Sequence, residues 1–220
     1  MRIENLTKKY KNHMKEQTIF SKTSFDFKDY NSIALCGRSG SGKSTLLSIL
    51  AGIDIDYVGD YFWGEEYLEK TRKDMANIRL KNISLISQDF CLLYDRSVYE
   101  NLAFPLKLFG MKKKEISENI IDILKLLELD DLINEYPAKL SGGEKQRIAI
   151  ARSLIIKPKY IFADEPTSEL DELTEKKVLE IFKKYQQEGT KFLIATHSKE
   201  VANSCEVIYN IQNYKILMNK

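Results

Sequence analysis

The spacing of hydrophobic positions changes along this chain, and each change marks an element. Residues 2–6 and 18–28 predict strands; in the second, Phe25 and Phe27 alternate with Ser24, Asp26 and Lys28 at the period of two of a half-buried strand. The polar run 10–17 between them predicts a loop, with His13 at its surface. Residues 32–36, 83–87, 160–163 and 191–195 are short, nearly unbroken apolar runs that suit buried strands, and 60–63 predicts a further strand.

Helices are predicted at 45–51, 73–80 and 145–154, the last with Ile148, Ala151 and Ile155 near one face. Another follows residues 168–171, with Val178, Leu179, Phe182 and Tyr185 facing inward and Gly189 ending it. Between 98 and 135 the alternation of strand and helix stops. Ile116, Ile120, Ile123, Leu124 and Leu127 fall at i, i+4, i+7, i+8 and i+11, one apolar helix face, flanked by shorter helices at 98–106 and 129–135. Phe90, Leu92, Leu93 and Tyr94 lead into this region as an apolar stretch that suits either core or a docking surface. The pattern predicts one α/β domain over 1–220, with an antiparallel β portion and a helical insertion at about 89–157.

Composition narrows the class. With 43% hydrophobic and 30% charged residues in 220, the chain is globular and long enough to bury a core. Its 34 Lys and Arg nearly balance 32 Asp and Glu, so charge gives no reason to expect nucleic acid as a partner. Lys112, Lys113 and Lys114 read as a solvated helix start. Cys36, Cys91 and Cys205 are odd in number and make no C-x-x-C pair, which predicts a reduced intracellular chain without disulfide or zinc, Cys36 being a small core residue. No run approaches the roughly 18 to 20 apolar residues of a membrane span, and the first residues do not begin a signal peptide. Work at a membrane would need spans from another chain. No low-complexity tract or internal repeat is visible.

The most specific chemistry lies at residues 37–44, GRSGSGKS, which satisfy G-x-x-x-x-G-K-[ST] between a predicted strand and a predicted helix. Gly37, Gly40 and Gly42 let successive backbone N–H groups turn into one anion-sized hollow, and the helix beginning near Lys43 adds its positive end. Lys43 would reach the β- and γ-phosphates of a nucleoside triphosphate, and the Ser44 hydroxyl would ligate the bridging Mg2+.

Three further signals follow. Leu140-Ser141-Gly142-Gly143-Glu144 precedes a helix and reads as a second anion site of exposed N–H groups and a hydroxyl; one nucleotide seldom needs two, so a head-to-tail pair would close it over the other subunit's γ-phosphate. Asp164 and Glu165 end a buried strand, where the first can hold Mg2+ through water and the second can orient or deprotonate the attacking water. Gln88 and His197 stand just past the ends of buried strands, the edge at which open parallel sheets bind ligands, and Tyr10 is an aromatic placed to stack on a base.

In this order, the phosphate loop, Gln88, the LSGGE run, the acid pair and His197 resemble the ATP-binding subunit of an ABC transporter over the whole chain. The resemblance implies a P-loop NTPase core of the ABC-ATPase type, and a homodimer that sandwiches two ATP with Mg2+ and separates on hydrolysis. By that resemblance Tyr10 matches the adenine-stacking aromatic, and Gly37, Arg38, Ser39, Gly40, Ser41, Gly42, Lys43, Ser44 and Thr45 match the phosphate loop. Ser44, Gln88 and Asp164 would serve the metal, Gln88 also linking it to a transmembrane permease, while Glu165 matches the catalytic glutamate and His197 the γ-phosphate switch. Ser141, Gly142, Gly143 and Glu144 match the signature that caps the partner's ATP, and Asp171 the acid of the inter-subunit loop. The helical insertion would receive the permease, placing the chain peripherally on the cytoplasmic face of the membrane, in contact with it only through that partner.

Two positions depart from the pattern: Glu144 replaces a glutamine and Glu169 a small residue, which leaves the phosphate donors intact and touches cross-subunit tuning. The short chain and the stretch 86–93 look most like the subgroup serving macrolide efflux, lipoprotein release and antimicrobial-peptide export. A non-transporting ATPase that signals through a membrane partner to a cell-wall hydrolase would share the same motifs. Soluble relatives acting on chromosomes or ribosomes carry long coiled coils or two cassettes, and neither is seen.

Overall fold

Two sheets share out the hydrophobic positions. In the computed structural model, which describes residues 1–12, 15–27 and 29–219, the chain opens with an antiparallel pair, β1 (Arg2–Asn12) and β2 (Lys15–Asp26). The loop expected over 10–17 is therefore mostly strand: Tyr10 pairs with Gln17 and Lys11 with Glu16. That end of the hairpin is held by backbone pairing and by ion pairs such as Lys9 to Glu16 at 3.3 Å rather than by burial, which is why it carries no apolar period. His13, expected on a surface, lies outside the described residues.

The chain then builds β3 (Ser32–Cys36), α1 (Lys43–Leu50), β4 (Val58–Trp63), β5 (Glu66–Leu68), α2 (Arg72–Asn82) and β6 (Ile83–Ile86). The helical part follows as α3 (Val98–Leu108), α4 (Lys113–Leu126), and α5 (Gly142–Leu154). Of the helix expected at 129–135 only one 3-10 turn forms, Asp130–Leu132; beyond it the carbonyls of Ile133 and Glu135 accept from the N–H groups of Tyr99 and Val98 at the start of α3, at 2.9 and 2.8 Å. The last elements are β7 (Tyr160–Asp164), α6 (Glu172–Gln187), β8 (Lys191–Ala195), α7 (Lys199–Ser204), β9 (Val207–Gln212) and β10 (Lys215–Met218).

The first sheet has the order β2-β1-β4-β5 and the second β10-β9-β3-β8-β7-β6. In the second, β9, β3, β8, β7 and β6 run parallel, and only β10 is antiparallel. This sheet lies between two cores. On β7, Ile161 and Ala163 join the helical side with Leu102, Ile120, Ile148 and Phe182, while Tyr160 and Phe162 join Phe25, Phe27, Leu46 and Tyr61 on the other. Burial on both faces explains the unbroken apolar runs. All four strands that precede candidate site residues end at the same edge of the sheet.

The helical side is entered through a loop locked by a buried amide. Asn101, fully buried, donates through Nδ2 to the carbonyls of Leu93, Arg96 and Ser97 at 3.0, 3.2 and 3.0 Å and accepts from the Leu93 N–H at 2.8 Å. Ser97 and Glu100 close a capping box at the start of α3 beside it. Asn101→Leu fills the space but strands these backbone groups, and should cost about 1–3 kcal/mol. A lower urea midpoint at unchanged slope checks this.

Candidate active site

The phosphate loop leaves β3 at Cys36 and turns at once. Gly37 has φ +151° and Gly42 φ +110°, and a Cβ on Gly42 would lie 2.6 Å from Ile19 Cγ2, so the turn that opens α1 admits no side chain there. Arg38, Ser39 and Gly40 are exposed on the loop, while the Ser41 hydroxyl is buried without a hydrogen-bond partner. Thr45 is half-buried in the first turn of α1. Cys36, expected in the core, is only half-buried; burial nonetheless pushes its thiol up, against the opposing charge of Lys43.

Lys43 folds back across the loop it follows. Its side chain is buried, and Nζ donates to the Gly37 carbonyl at 3.0 Å and lies 3.0 Å from His197 Nε2. An ammonium can only donate, so Nε2 accepts and the imidazole proton belongs on Nδ1. His197 stands two residues beyond β8, where the chain is held over the sheet edge by the Thr196 N–H donating to Leu35 O at 3.2 Å.

Glu165 completes the cluster. The residue follows β7 in a left-handed conformation, φ +49°, held by its N–H donating to Ala195 O at 2.9 Å. Its Oε2 accepts from the His197 N–H at 3.2 Å, and Oε1 is 3.6 Å from His197 Nε2, buried and without a hydrogen-bond partner. An orphaned carboxylate oxygen is a free proton acceptor, which is the equipment of a general base.

Beside this cluster, Ser44, Gln88 and Asp164 line one cavity of ≈ 470 Å3 together with apolar walls from Leu47, Ile53 and Phe162. A hydroxyl, an amide and one carboxylate are hard oxygen donors, the set that suits Mg2+ shared with phosphates and water. Among the described residues no group of three or more His, Cys, Asp and Glu gathers as a self-sufficient metal cage.

The glycine pair that was expected to precede a helix belongs to it: α5 begins at Gly142, with Ser141 as its N-cap. The reason is a capping box. Ser141 N–H and hydroxyl both donate to Glu144 Oε2 at 2.8 Å, and these bonds, that from the backbone first, hold the Glu144 carboxyl below its ordinary range. Glutamate serves this box as well as glutamine would. The second departure lies at the same turn, since a Cβ on Gly142 would meet Glu169 Oε2 at 2.7 Å. Asp171 is engaged too: its carboxylate N-caps α6 through the N–H groups of Leu173 and Thr174, and the Thr174 hydroxyl donates to it at 2.7 Å.

Sequence reasoning passed over Gln146. This side chain is fully buried, donates through Nε2 to Glu165 O at 2.8 Å and accepts at Oε1 from the Glu169 N–H at 2.8 Å. It thereby fixes the turn on which the acid sits. The signal was available: Gln146 shares helix register with the buried Ala149, Ile150 and Ser153, so it is an amide on an inward face. The structure thus brings Lys43, Glu165 and His197 into contact and gathers Ser44, Gln88 and Asp164 around one cavity. Ser141 to Glu144 form a separate turn, tied to the acid through Gln146, and Tyr10 stands on the antiparallel sheet, 41% exposed.

Comparison with known proteins places this geometry. A family model described as ABC transporter matches residues 20–168. The lipoprotein-releasing system ATP-binding protein LolD of Wigglesworthia glossinidia brevipalpis is 38% identical over 218 residues, covering 98% of this chain and 95% of that protein. The methionine import ATP-binding protein MetN of Francisella tularensis subsp. holarctica (strain OSU18) is 33% identical over 98% of this chain, which spans 62% of that longer protein. A solved dimeric structure of the ATP-binding cassette MJ0796, in a post-hydrolysis state bound to ADP and Pi, superposes with a TM-score of 0.91 at 30% identity, covering 100% of this chain and 97% of that one. Sequence likeness over nearly the full length and a shared fold agree with the ATPase chemistry built above, and the chain belongs to the ABC transporter family as an ATP-binding, ATP-hydrolysing subunit.

Proposed function

We propose that this chain is the ATPase of a system that exports or releases lipoproteins, peptides or drug-like molecules, working as a head-to-tail homodimer beneath a separate membrane permease. Similarity to LolD proteins, at 38% and 43% identity, supports that subgroup over import. Among the described residues no helix is long and apolar enough to cross a membrane, in keeping with a peripheral place on the cytoplasmic face.

The observation that carries the mechanism is the unpartnered Oε1 of Glu165 beside His197. Glu165 takes a proton from water; the water oxygen forms a bond to the γ-phosphorus as the bond to the β,γ-bridging oxygen breaks, leaving ADP. Lys43, reoriented from the Gly37 carbonyl onto β- and γ-oxygens, offsets charge that develops there, and His197 orders the terminal phosphate against it. Bound Mg2+, held by Ser44, Asp164 and Gln88, would neutralise further charge on the phosphate oxygens. Tyr10 stacks on the adenine, and Ser141 with the glycine N–H groups caps the partner's nucleotide.

The loop after Gln88 runs to a groove of ≈ 390 Å3 lined by Leu93, Asp95, Arg96, Glu100, Phe104 and Lys107. Phe104, Leu108 and Phe109 are exposed on α3 and its end, an apolar patch with polar rims suited to a permease.

Glu165→Gln should lower the rate of phosphate release about 10²- to 10⁴-fold while ATP titration shows retained affinity; a variant turning over at the parent rate would remove Glu165 from its role. Gln146→Leu strands the Glu165 carbonyl and the Glu169 N–H. It should destabilise by about 1–3 kcal/mol and lower kcat by about tenfold or more with ATP affinity held. Phe104→Asp should abolish co-purification with the membrane partner, seen as loss of that chain from affinity-captured complexes, with the ATPase activity of the isolated chain intact.

A further inference from the structure

A lysine away from the phosphate site is buried more deeply than Lys43. Lys8 on β1 is 2% exposed, and its ammonium has three N–H donors to satisfy. It lies 2.9 Å from each oxygen of Asp54, donates to the Asp56 carbonyl, and sits 4.7 Å from the centre of the Tyr10 ring. The Tyr10 hydroxyl donates to the same Asp54 carboxylate at 3.2 Å. One carboxylate therefore holds the rim of the ring and the cation above one of its faces.

Asp54 is itself anchored to the phosphate-binding helix. Its N–H donates to Ser48 O at 3.1 Å, and the Asp56 N–H returns to Asp54 Oδ1 at 3.1 Å, so the turn after α1 is rigid. Lys43 begins α1 and Asp54 closes the turn that ends it. The ring and the phosphate loop are thus two ends of one stiff piece, with a span set by the length of that helix.

We propose that Lys8 and Asp54 are positioning residues for the nucleotide base. They fix the Tyr10 ring at a set distance from the phosphates, covering one face with positive charge and leaving the other for adenine. The cation draws ring electron density to its own side, and an electron-rich purine gains on the opposite one. This rests on the reading of Tyr10 as the base platform.

Titration of the full-length chain with ATP and, separately, with inorganic triphosphate tests both. Tyr10→Ala should weaken ATP about 5- to 150-fold and leave triphosphate unchanged. Asp54→Ala should weaken ATP about three- to tenfold, again without effect on triphosphate, and should add nothing in a Tyr10→Ala background. Asp54→Asn, nearly isosteric, should show the same pattern and serves where the alanine variant does not fold. Equal loss for ATP and triphosphate, or the same loss with and without Tyr10, would make the pair merely structural and overturn the proposal while Tyr10 keeps its role. If Tyr10→Ala binds ATP as the parent does, the platform reading falls and the positioning role with it.

Discussion

A buried ammonium must be met by acceptors, and the site depends on how Lys43 is met. Its two partners, the Gly37 carbonyl and His197 Nε2, come from the segments that follow the neighbouring parallel strands β3 and β8. Together they hold in place a charge that a dry interior would otherwise refuse. In the proposed mechanism phosphate oxygens would replace these two acceptors, so the buried ammonium would exchange one set of partners for another. The strained turn at Glu165 rests on the same edge through Ala195 O and the His197 N–H. The loop, His197 and Glu165 are consequently one assembly, positioned by the register in which β3, β8 and β7 pair.

Much of this was legible because the phosphate loop and acid pair are local in sequence and their chemistry demands fixed spacing. The buried strands were legible for another reason: the double-sided core leaves no polar position from Ile161 to Ala163 on β7 or from Phe192 to Ala195 on β8. What escaped was held by long-range contacts. The tip of the first hairpin is polar and looks like a loop, yet backbone pairing carries it to Asn12 and Lys15. The strands β9 and β10 raised no signal, since most of β9 is only half-buried and β10 is an edge strand. Gln146 was hidden by its neighbours, a polar residue inside a helix whose start drew attention to glycines instead. Glu144 and Glu169 stood out as departures, but nothing in their spacing showed that both lie at one turn.

The glycine-rich turn is more heavily committed than an anion site drawn from sequence would be. Ser141 is occupied by its own capping box, and a carboxylate from Glu169 rests against Gly142. In the single chain the donors best placed for a phosphate are the N–H groups of the first helical turn, which the macrodipole favours for negative charge. Two carboxylates at the same place offset part of that attraction. Closure on a nucleotide across the proposed dimer would have to reorganise them.

The amide of Gln146 grips the turn of Glu165 from within the same helix that Ser141 caps, five residues away. In the proposed head-to-tail pair those two ends face different nucleotides, one its own and the other its neighbour's. In that pair one helix would carry contacts to both chambers, its cap toward the neighbour's nucleotide and its buried amide on the turn of the chain's own glutamate.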